Sequence, residues 1–362
     1  MNTGKKPLTL LIHTGMAFEW YRSIVSEFQR QSANSAFTLN IAHRYQDILS
    51  TDGPVVLLSV DASWITENLA LLGGSKHKAI LFNGFTEEPP NTVSRIMIDH
   101  DGLIQKSVSH LMQKGRCDIA FFGAQKNDIS DQKKADSFAK LVSEDHVYRI
   151  THDFGECFER LLSRINEYNG IICSNDIAAV YLLEKCSGLG IAVPDRLSII
   201  GNGNLWISAN TTPSITTIST DTAKMVSLTL RICRQLYQFE DIVSMDVYIK
   251  PSLIPRASTG CETDGKDQTK LKTQRMLYEE SNTDKDLIII QKIDRALSAL
   301  SPQTLRMLKA YLNGDAYGKI ADQMYISEDT LRYHIKKLYR SLDVHGKKEC
   351  ASILNRYLGN KS

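Results

Sequence analysis

The sequence predicts an α/β region of two lobes with parallel sheets, followed by an all-α bundle of four short helices. Three observations carry this. From Leu8 to Tyr237, apolar runs of strand length alternate with helical amphipathic stretches, the rhythm of β-α units with parallel strands. That rhythm lasts for about 230 residues, more than one ordinary lobe holds, so two halves are expected. After a polar stretch from Gly260 to about Asp286 the period becomes helical and stays so to the end.

Taken in order, Leu8 to Ile12 is a strand, and the helix from about Glu19 to Arg30 carries Trp20, Ile24 and Phe28 inward. Phe37 to Ala42 is the next strand. Val55 to Val60 and Ala79 to Phe82 are continuous apolar runs, as strands buried on both faces require, with a helix between them at Ala62 to Leu72. Ile96 to Asp99 leads into a helix ending near Lys114. Strand Ile119 to Phe122, helix Lys133 to Val142, strand Val147 to Ile150 and helix Glu156 to Tyr168 continue the pattern. Gly170 to Cys173 feeds a helix at Asn175 and Asp176, Leu197 to Ile200 is a late strand, and Thr222 to Tyr237 is a long helix.

Residues 260–286 read as linker, with a short helix around Leu271 to Tyr278, and Leu287 to Leu300 as a partly amphipathic connector or dimer contact with Ile288, Ile289, Lys292 and Leu297. The expected domains are therefore 1–259, a two-lobed core; 260–286, a polar linker; and 287–362, the helical domain. Ser301-Pro302 opens a helix with proline at its first position, Leu305, Leu308 and Leu312 inward, and Asn313-Gly314 as its stop. A shorter helix with Ile320, Ala321 and Met324 inward follows, then a tight connection at Tyr325 and Ile326. Ser327 caps the next helix, with Glu328 and Asp329 at its positive end. Along that helix Leu331, Ile335, Leu338 and Leu342 make an apolar stripe, while Arg332, Lys336 and Arg340, with Lys337 beside them, make a cationic one. A last helix runs from about Lys347 to Tyr357. Two helices joined this tightly form a helix-turn-helix, whose second helix enters the DNA major groove.

Leu300 to Leu354, with Leu308, Gly314, Ile320-Ala321, Ser327, Thr330, His334, Leu338, Leu342 and Val344 in register, resembles the LuxR-type helix-turn-helix domain. Thr304, Ser341 and Asp343 depart from that family's usual acidic residue, lysine and glycine. Upstream, the stretches Val93 to Ala124, Gly170 to Asn204, Pro213 to Thr220 and Pro251 to Thr259 resemble the periplasmic-binding-protein-like sensor core of the lactose repressor family, in the same order and spacing. That resemblance covers Leu8 to Thr259 and implies a cleft for a small-molecule effector, possibly a sugar, and a homodimer. The sensor family's own DNA-binding head, normally N-terminal, is not expected in the few residues before Leu8.

Charge distribution agrees with a nucleic-acid partner at one end. The chain of 362 residues carries a formal net charge of only +2. From Ser301 onward, 11 Lys and Arg face 6 Asp and Glu, a balance of +5, against 32 and 35 in the rest, a balance of −3. The seven cysteines form no C-x-x-C pair, so neither a zinc site nor a disulfide framework is implied, and reduced thiols suit a cytoplasmic protein. Lys5-Lys6 followed by Leu8 to Ile12 mimics a signal peptide, but His13 and Glu19 cut the apolar run short. No run approaches the ~20 apolar residues of a membrane span.

Enzyme motifs fail on inspection. Gly201-Asn-Gly203 lacks the third glycine of a dinucleotide fingerprint, Gly73-Gly-Ser-Lys76 lacks phosphate-loop spacing, and the nine histidines show no metal-ligand pattern. No cofactor, metal or catalytic nucleophile is read from the chain, and a non-enzyme is expected. On the DNA side the candidates are Thr330, Arg332, Tyr333, His334, Lys336, Lys337 and Arg340, with His334 a packing or phosphate residue. On the effector side the resemblance implies Phe18, Trp20, Tyr21, Asp99, Lys134, Asp176, Asn202 and Asn204. Two roles are open to Asp176, effector contact or helix cap, with Asn175 a rival cap. Two are open to Trp20, core packing or stacking on a ligand ring. The sensor family commonly has arginine where Lys134 stands and aspartate where Gly203 stands, so a two-pronged donor and a charged acceptor are missing. Those departures motivate an alternative: a DNA-binding module with a degenerate cleft, controlled by a protein partner or by dimerisation.

Overall fold

The computed structural model describes residues 4–13, 19–59, 61–84, 90–126, 128–261 and 284–359, with the backbone alone at 19–22. In chain order the first elements are β1 (Lys6–Ile12), α1 (Glu19–Ala33), β2 (Phe37–Ala42), β3 (Val55–Leu58), α2 (Ala62–Gly73), β4 (Ala79–Phe82), β5 (Ser94–Ile98) and α3 (His100–Gln113). Then come β6 (Ile119–Ala124), α4 (Ile129–Leu141), β7 (Val147–Arg149), α5 (Phe154–Leu162), β8 (Gly170–Cys173), α6 (Asp176–Gly188), β9 (Ser198–Asn202), α7 (Trp206–Asn210) and β10 (Thr216–Ser219). The chain continues through α8 (Thr222–Gln238), β11 (Asp246–Ile249) and β12 (Ser252–Ile254) to five helices: α9 (Lys285–Ser298), α10 (Pro302–Leu312), α11 (Tyr317–Met324), α12 (Glu328–Leu342) and α13 (Lys347–Leu358).

The chain forms two compact units. One holds a six-stranded sheet in the order β11-β5-β4-β3-β1-β2, with all five pairings parallel. Its strands read as unbroken apolar runs because helices cover both faces: Val55 to Leu58 are fully buried, and Ile24, Phe28 and α8 residues such as Val226 and Cys233 pack on β1 and β3. The other unit holds the sheet β12-β10-β9-β8-β6-β7, whose β10-β9, β9-β8, β8-β6 and β6-β7 pairs are parallel. Short strands β10, β11 and β12 and the five-residue α7 escape the sequence reading, because none carries a long apolar run or a full helical period. Residues 271–278, read as a short helix, and most of the predicted linker lie outside the described residues.

In the second unit one apolar core runs without interruption from the sheet into the C-terminal helices. Ile171, Val180, Leu183 and Trp206 belong to the same buried cluster as Ile290, Ile293, Leu331, Ile335 and Leu354. The connector is α9, and its buried stripe is Leu287, Ile290, Ile293, Asp294 and Leu297. Of the residues the sequence suggests for it, Leu297 is buried, Ile289 and Lys292 flank the stripe half-buried, and Ile288 is exposed. A run of three isoleucines has no polar gap to fix the phase, and contact with α6, α7 and α12 decides it.

Candidate nucleic-acid interface and effector site

Helix α12 is built as its sequence requires. The Ser327 hydroxyl accepts from the Thr330 N–H at 3.1 Å, closing the N-terminus, and Leu331, Ile335, Leu338 and Leu342 are buried. This leaves Arg332, Tyr333, Lys336, Lys337 and Arg340 exposed on the other side, with Thr330 exposed at the N-terminal end and His334 half-buried beside the Tyr333 ring. Arg332 is held from two directions: its guanidinium lies 4.5 Å from the Tyr317 ring centroid and pairs with Glu328 at 3.2 Å. Among the described residues, Lys336, Lys337 and Arg340 have no ion-pair partner. A row of uncompensated cations on one exposed helix face is what phosphate neutralisation uses.

The turn into α12 has one unusual residue. Tyr325 adopts a left-handed conformation, φ 55°, with its side chain 96% exposed. That conformation closes α11 and brings Ile326 and Ser327 round to start α12, at a steric cost for any residue bearing a Cβ. Asp343, at φ 58°, ends α12 the same way, where the LuxR-type pattern commonly has glycine.

At the C-terminal ends of the second unit's strands, several polar side chains converge, the place where open α/β sheets hold ligands. The Lys134 ammonium, buried on α4, donates to the Ser174 carbonyl at 2.6 Å, and the half-buried Asn202 amide reaches the same oxygen at 3.4 Å. Asn204, itself left-handed at φ 54°, accepts from buried Arg256 at 2.6 Å. Arg256 also donates to the Ile215 carbonyl at 2.9 Å and the Ser208 hydroxyl at 3.3 Å.

The cap of α6 is Asn175, whose side chain accepts from the Ala178 N–H at 2.9 Å. Asp176 instead ties strands together. Fully buried, it accepts from the Leu205 N–H and the Thr217 hydroxyl, both at 2.6 Å, and so joins β8 to the β9-α7 loop and to β10. Its surroundings leave no space behind it, since a Cβ at Gly201 would lie 2.2 Å from the carboxylate. In the first unit, half-buried Asp99 turns its carboxylate onto the first turn of α3, accepting from the Gly102 N–H at 2.8 Å. Phe18 and the side chains of Trp20 and Tyr21 lie outside the described residues. Of the expected effector residues, Lys134 and Asn202 meet at the Ser174 carbonyl, whereas Asn204 pairs with Arg256 and is tied through Thr217 to Asp176. Sequence reading missed Ser174, Thr217 and Arg256. Arg256 stands in the Pro251 to Thr259 stretch that carries the sensor-core resemblance, but a buried arginine leaves no periodic signal.

Comparison with known proteins bears on both regions. Residues 108–259 match the family described as periplasmic binding protein-like domain, and residues 298–354 match bacterial regulatory proteins, luxR family. The chain joins a periplasmic-binding-protein-like sensor core to a LuxR-type helix-turn-helix domain. Among its relatives, the HTH-type transcriptional repressor PurR of Mannheimia succiniciproducens is 27% identical over 41% of this chain and 48% of its own. The xylose operon regulatory protein of Haemophilus influenzae is 30% identical over 30% of this chain and 32% of its own. The chain spans about half or less of the length of the curated relatives named here.

Solved structures agree on the fold of the sensor core. A CelR–cellobiose complex of a transcriptional regulator aligns with TM-score 0.57 at 17% identity, over 70% of this chain and 84% of that one. A PurR family transcriptional regulator from Vibrio parahaemolyticus aligns with TM-score 0.56 at 20% identity, over 71% of this chain and all of that one. The LuxR-type match falls on α10 to α13, so its helix-turn-helix is α11 and α12. No described helix is long and apolar enough to cross a membrane, and the described residues contain no cluster of three or more metal-ligating side chains.

Proposed function

We propose that this protein is a one-component transcription regulator: α12 enters the major groove of duplex DNA, and a small molecule bound by the sensor core sets how firmly it does so. The single observation that carries this is the exposed, unpaired cationic face of Lys336, Lys337 and Arg340 within a LuxR-type helix-turn-helix. Arg332, Tyr333 and Thr330, toward the N-terminal end of α12, are placed for base edges, and the later cations and His334 for phosphates. A homodimer would set two such helices about 34 Å apart on a roughly palindromic site. A sugar or sugar derivative is the effector class that the relatives' names favour, one being a xylose operon regulator and one a structure with cellobiose. Lys134 and Asn202, which meet at the Ser174 carbonyl, and the Asn204–Arg256 pair are the groups of the second unit that would meet its hydroxyls. Such a regulator works in the cytoplasm.

A specific observation favours a second reading, a DNA-binding module whose cleft takes no small molecule. Asp176 is consumed by internal hydrogen bonds and position 203 is glycine, so the strand ends of this unit offer no free carboxylate among the described residues named here. Selection of genomic fragments by the purified protein, followed by thermal-shift titration with pentoses, hexoses and their phosphates, separates the two. Saturable binding that disappears in Asn202→Ala supports the sensor; silence across the panel, with DNA binding intact, supports the module. Loss of fragment capture in Lys336→Glu is expected under both, and unchanged capture would remove both.

A further inference from the structure

The second unit contains a continuous chain of polar contacts from the sensor strands to the DNA-binding helix. The three residues Leu205 to Ile207 are gripped from two sides. The Leu205 N–H is held by Asp176 at 2.6 Å, and the Ile207 N–H by Asp294 of α9 at 2.8 Å. Both carboxylates are buried, Asp176 fully and Asp294 to 5% exposure. Leu205, the residue before α7, supplies no capping side chain of its own, so Asp294 takes that role from a distant part of the chain.

Helix α9 is tied further at both ends. Near its start, Asp286 accepts from Lys185 of α6 at 2.6 Å, from the Tyr357 hydroxyl of α13 at 2.7 Å and from Arg356 at 3.2 Å, while Arg356 also pairs with Glu184 at 2.8 Å. Further along, Lys292 reaches Asp343 at the end of α12 at 3.5 Å, and Ile290 and Ile293 share the core of Leu331 and Ile335. The seam is not tightly filled: a cavity of about 190 Å³ lies between α7 and the bundle, lined by Trp206, Asn210, Leu297, Leu308 and Leu354 among others. A joint fixed by a few directional polar contacts over an under-packed apolar seam can change register more cheaply than a close-packed one.

We propose that Asp294 is the coupling residue of this protein, linking the position of α7, which Asp176 ties to the strand ends, to the placement of α12 through α9. This rests on the DNA-binding reading above and adds the route by which the sensor and the DNA end communicate. Linkage requires the route to run both ways, so DNA bound at α12 must alter α7 even without an effector.

The test is hydrogen–deuterium exchange on the full chain, alone and saturated with duplex DNA, read at α12 and at residues 205–210. In the wild type, DNA slows exchange at α12 and changes it at 205–210 by about fivefold or more, the lower end of an allosteric coupling. In Asp294→Ala, α12 stays protected by DNA while 205–210 no longer responds. Asp294→Asn, which keeps an acceptor oxygen, restores part of the response and serves as the readout if the alanine variant does not fold. Protection at α12 with no change at 205–210 in the wild type overturns the coupling and leaves the DNA-binding reading standing. No protection at α12 overturns both.

Discussion

The carboxylate of Asp176 and the hydroxyl of Thr217 meet at 2.6 Å in the interior of the second unit, with the Leu205 N–H on the other carboxylate oxygen. Burial pushes the Asp176 carboxyl up, against the hydrogen bonds from Thr217 and Leu205 and the charge of Arg256. Asp176→Ala strands both donors and is expected to cost about 3 kcal/mol or more in urea denaturation.

The same group has a pH signature. A carboxyl whose folded pKa is raised binds its proton more tightly in the native state. Its contribution is therefore full below the unfolded value, about 3.9, and is lost as pH rises through the folded pKa. Asp176→Asn does not titrate, so the wild type's advantage over that variant should shrink upward from about pH 4. An advantage that grows with pH would contradict the assignment.

Asp286 behaves in the opposite sense. Burial alone would raise its carboxyl, but Lys185, Tyr357 and Arg356 outweigh it and hold it below the usual value. Glu184, on α6 beside Lys185, and Asp284, which caps α9, are the other charged groups nearby. Stability from this latch is present above the unfolded carboxylate value and is lost as pH falls through the lower folded one. Asp286→Ala should cost about 2 kcal/mol at neutral pH, less as the medium becomes more acid. Chemical denaturation at several pH values checks both statements.

Tyr325 offers a gain. Its side chain is 96% exposed, so replacing it loses no packing, and its φ of 55° suits asparagine better than tyrosine. Tyr325→Asn should stabilise the protein by about 0.5–1 kcal/mol. A loss of stability would show that the ring has a contact in solution.

Thiol chemistry reports on the core. Cys117 is exposed, whereas burial raises the thiols of Cys157 and Cys186 to about 12 and of Cys350 to about 11. A disulfide reagent should modify Cys117 at once and these three only on unfolding. Fast labelling of Cys350 in native protein would place the packing of α13 in error.

Most of the architecture was legible because its signals are local. Val55 to Leu58 and Gly170 to Cys173 announce buried parallel strands by unbroken apolar runs, and Ser301-Pro302 and Ser327 announce helix starts by cap chemistry. The cationic face of α12 followed from spacing alone. What stayed hidden depends on residues far apart in sequence. Asp176 is open to two roles, effector contact or helix cap, until Thr217 and Leu205 are brought to it, and Asp294 has no local signal of its bond to α7. The phase of α9 was hidden for the same reason, since its partners on α6, α7 and α12 choose which isoleucines turn inward.

On the proposed function, α12 binds duplex DNA through Lys336, Lys337 and Arg340. The most direct measurement is the salt dependence of duplex affinity, by fluorescence anisotropy, for wild type and for Lys336→Ala and Lys337→Ala. The expected result is a linear fall of log affinity with log salt, a slope smaller by about 1 for each phosphate-contacting lysine removed, and weakening that is similar on all sequences. A wild-type affinity indifferent to salt, or slopes unchanged in both variants, would contradict it.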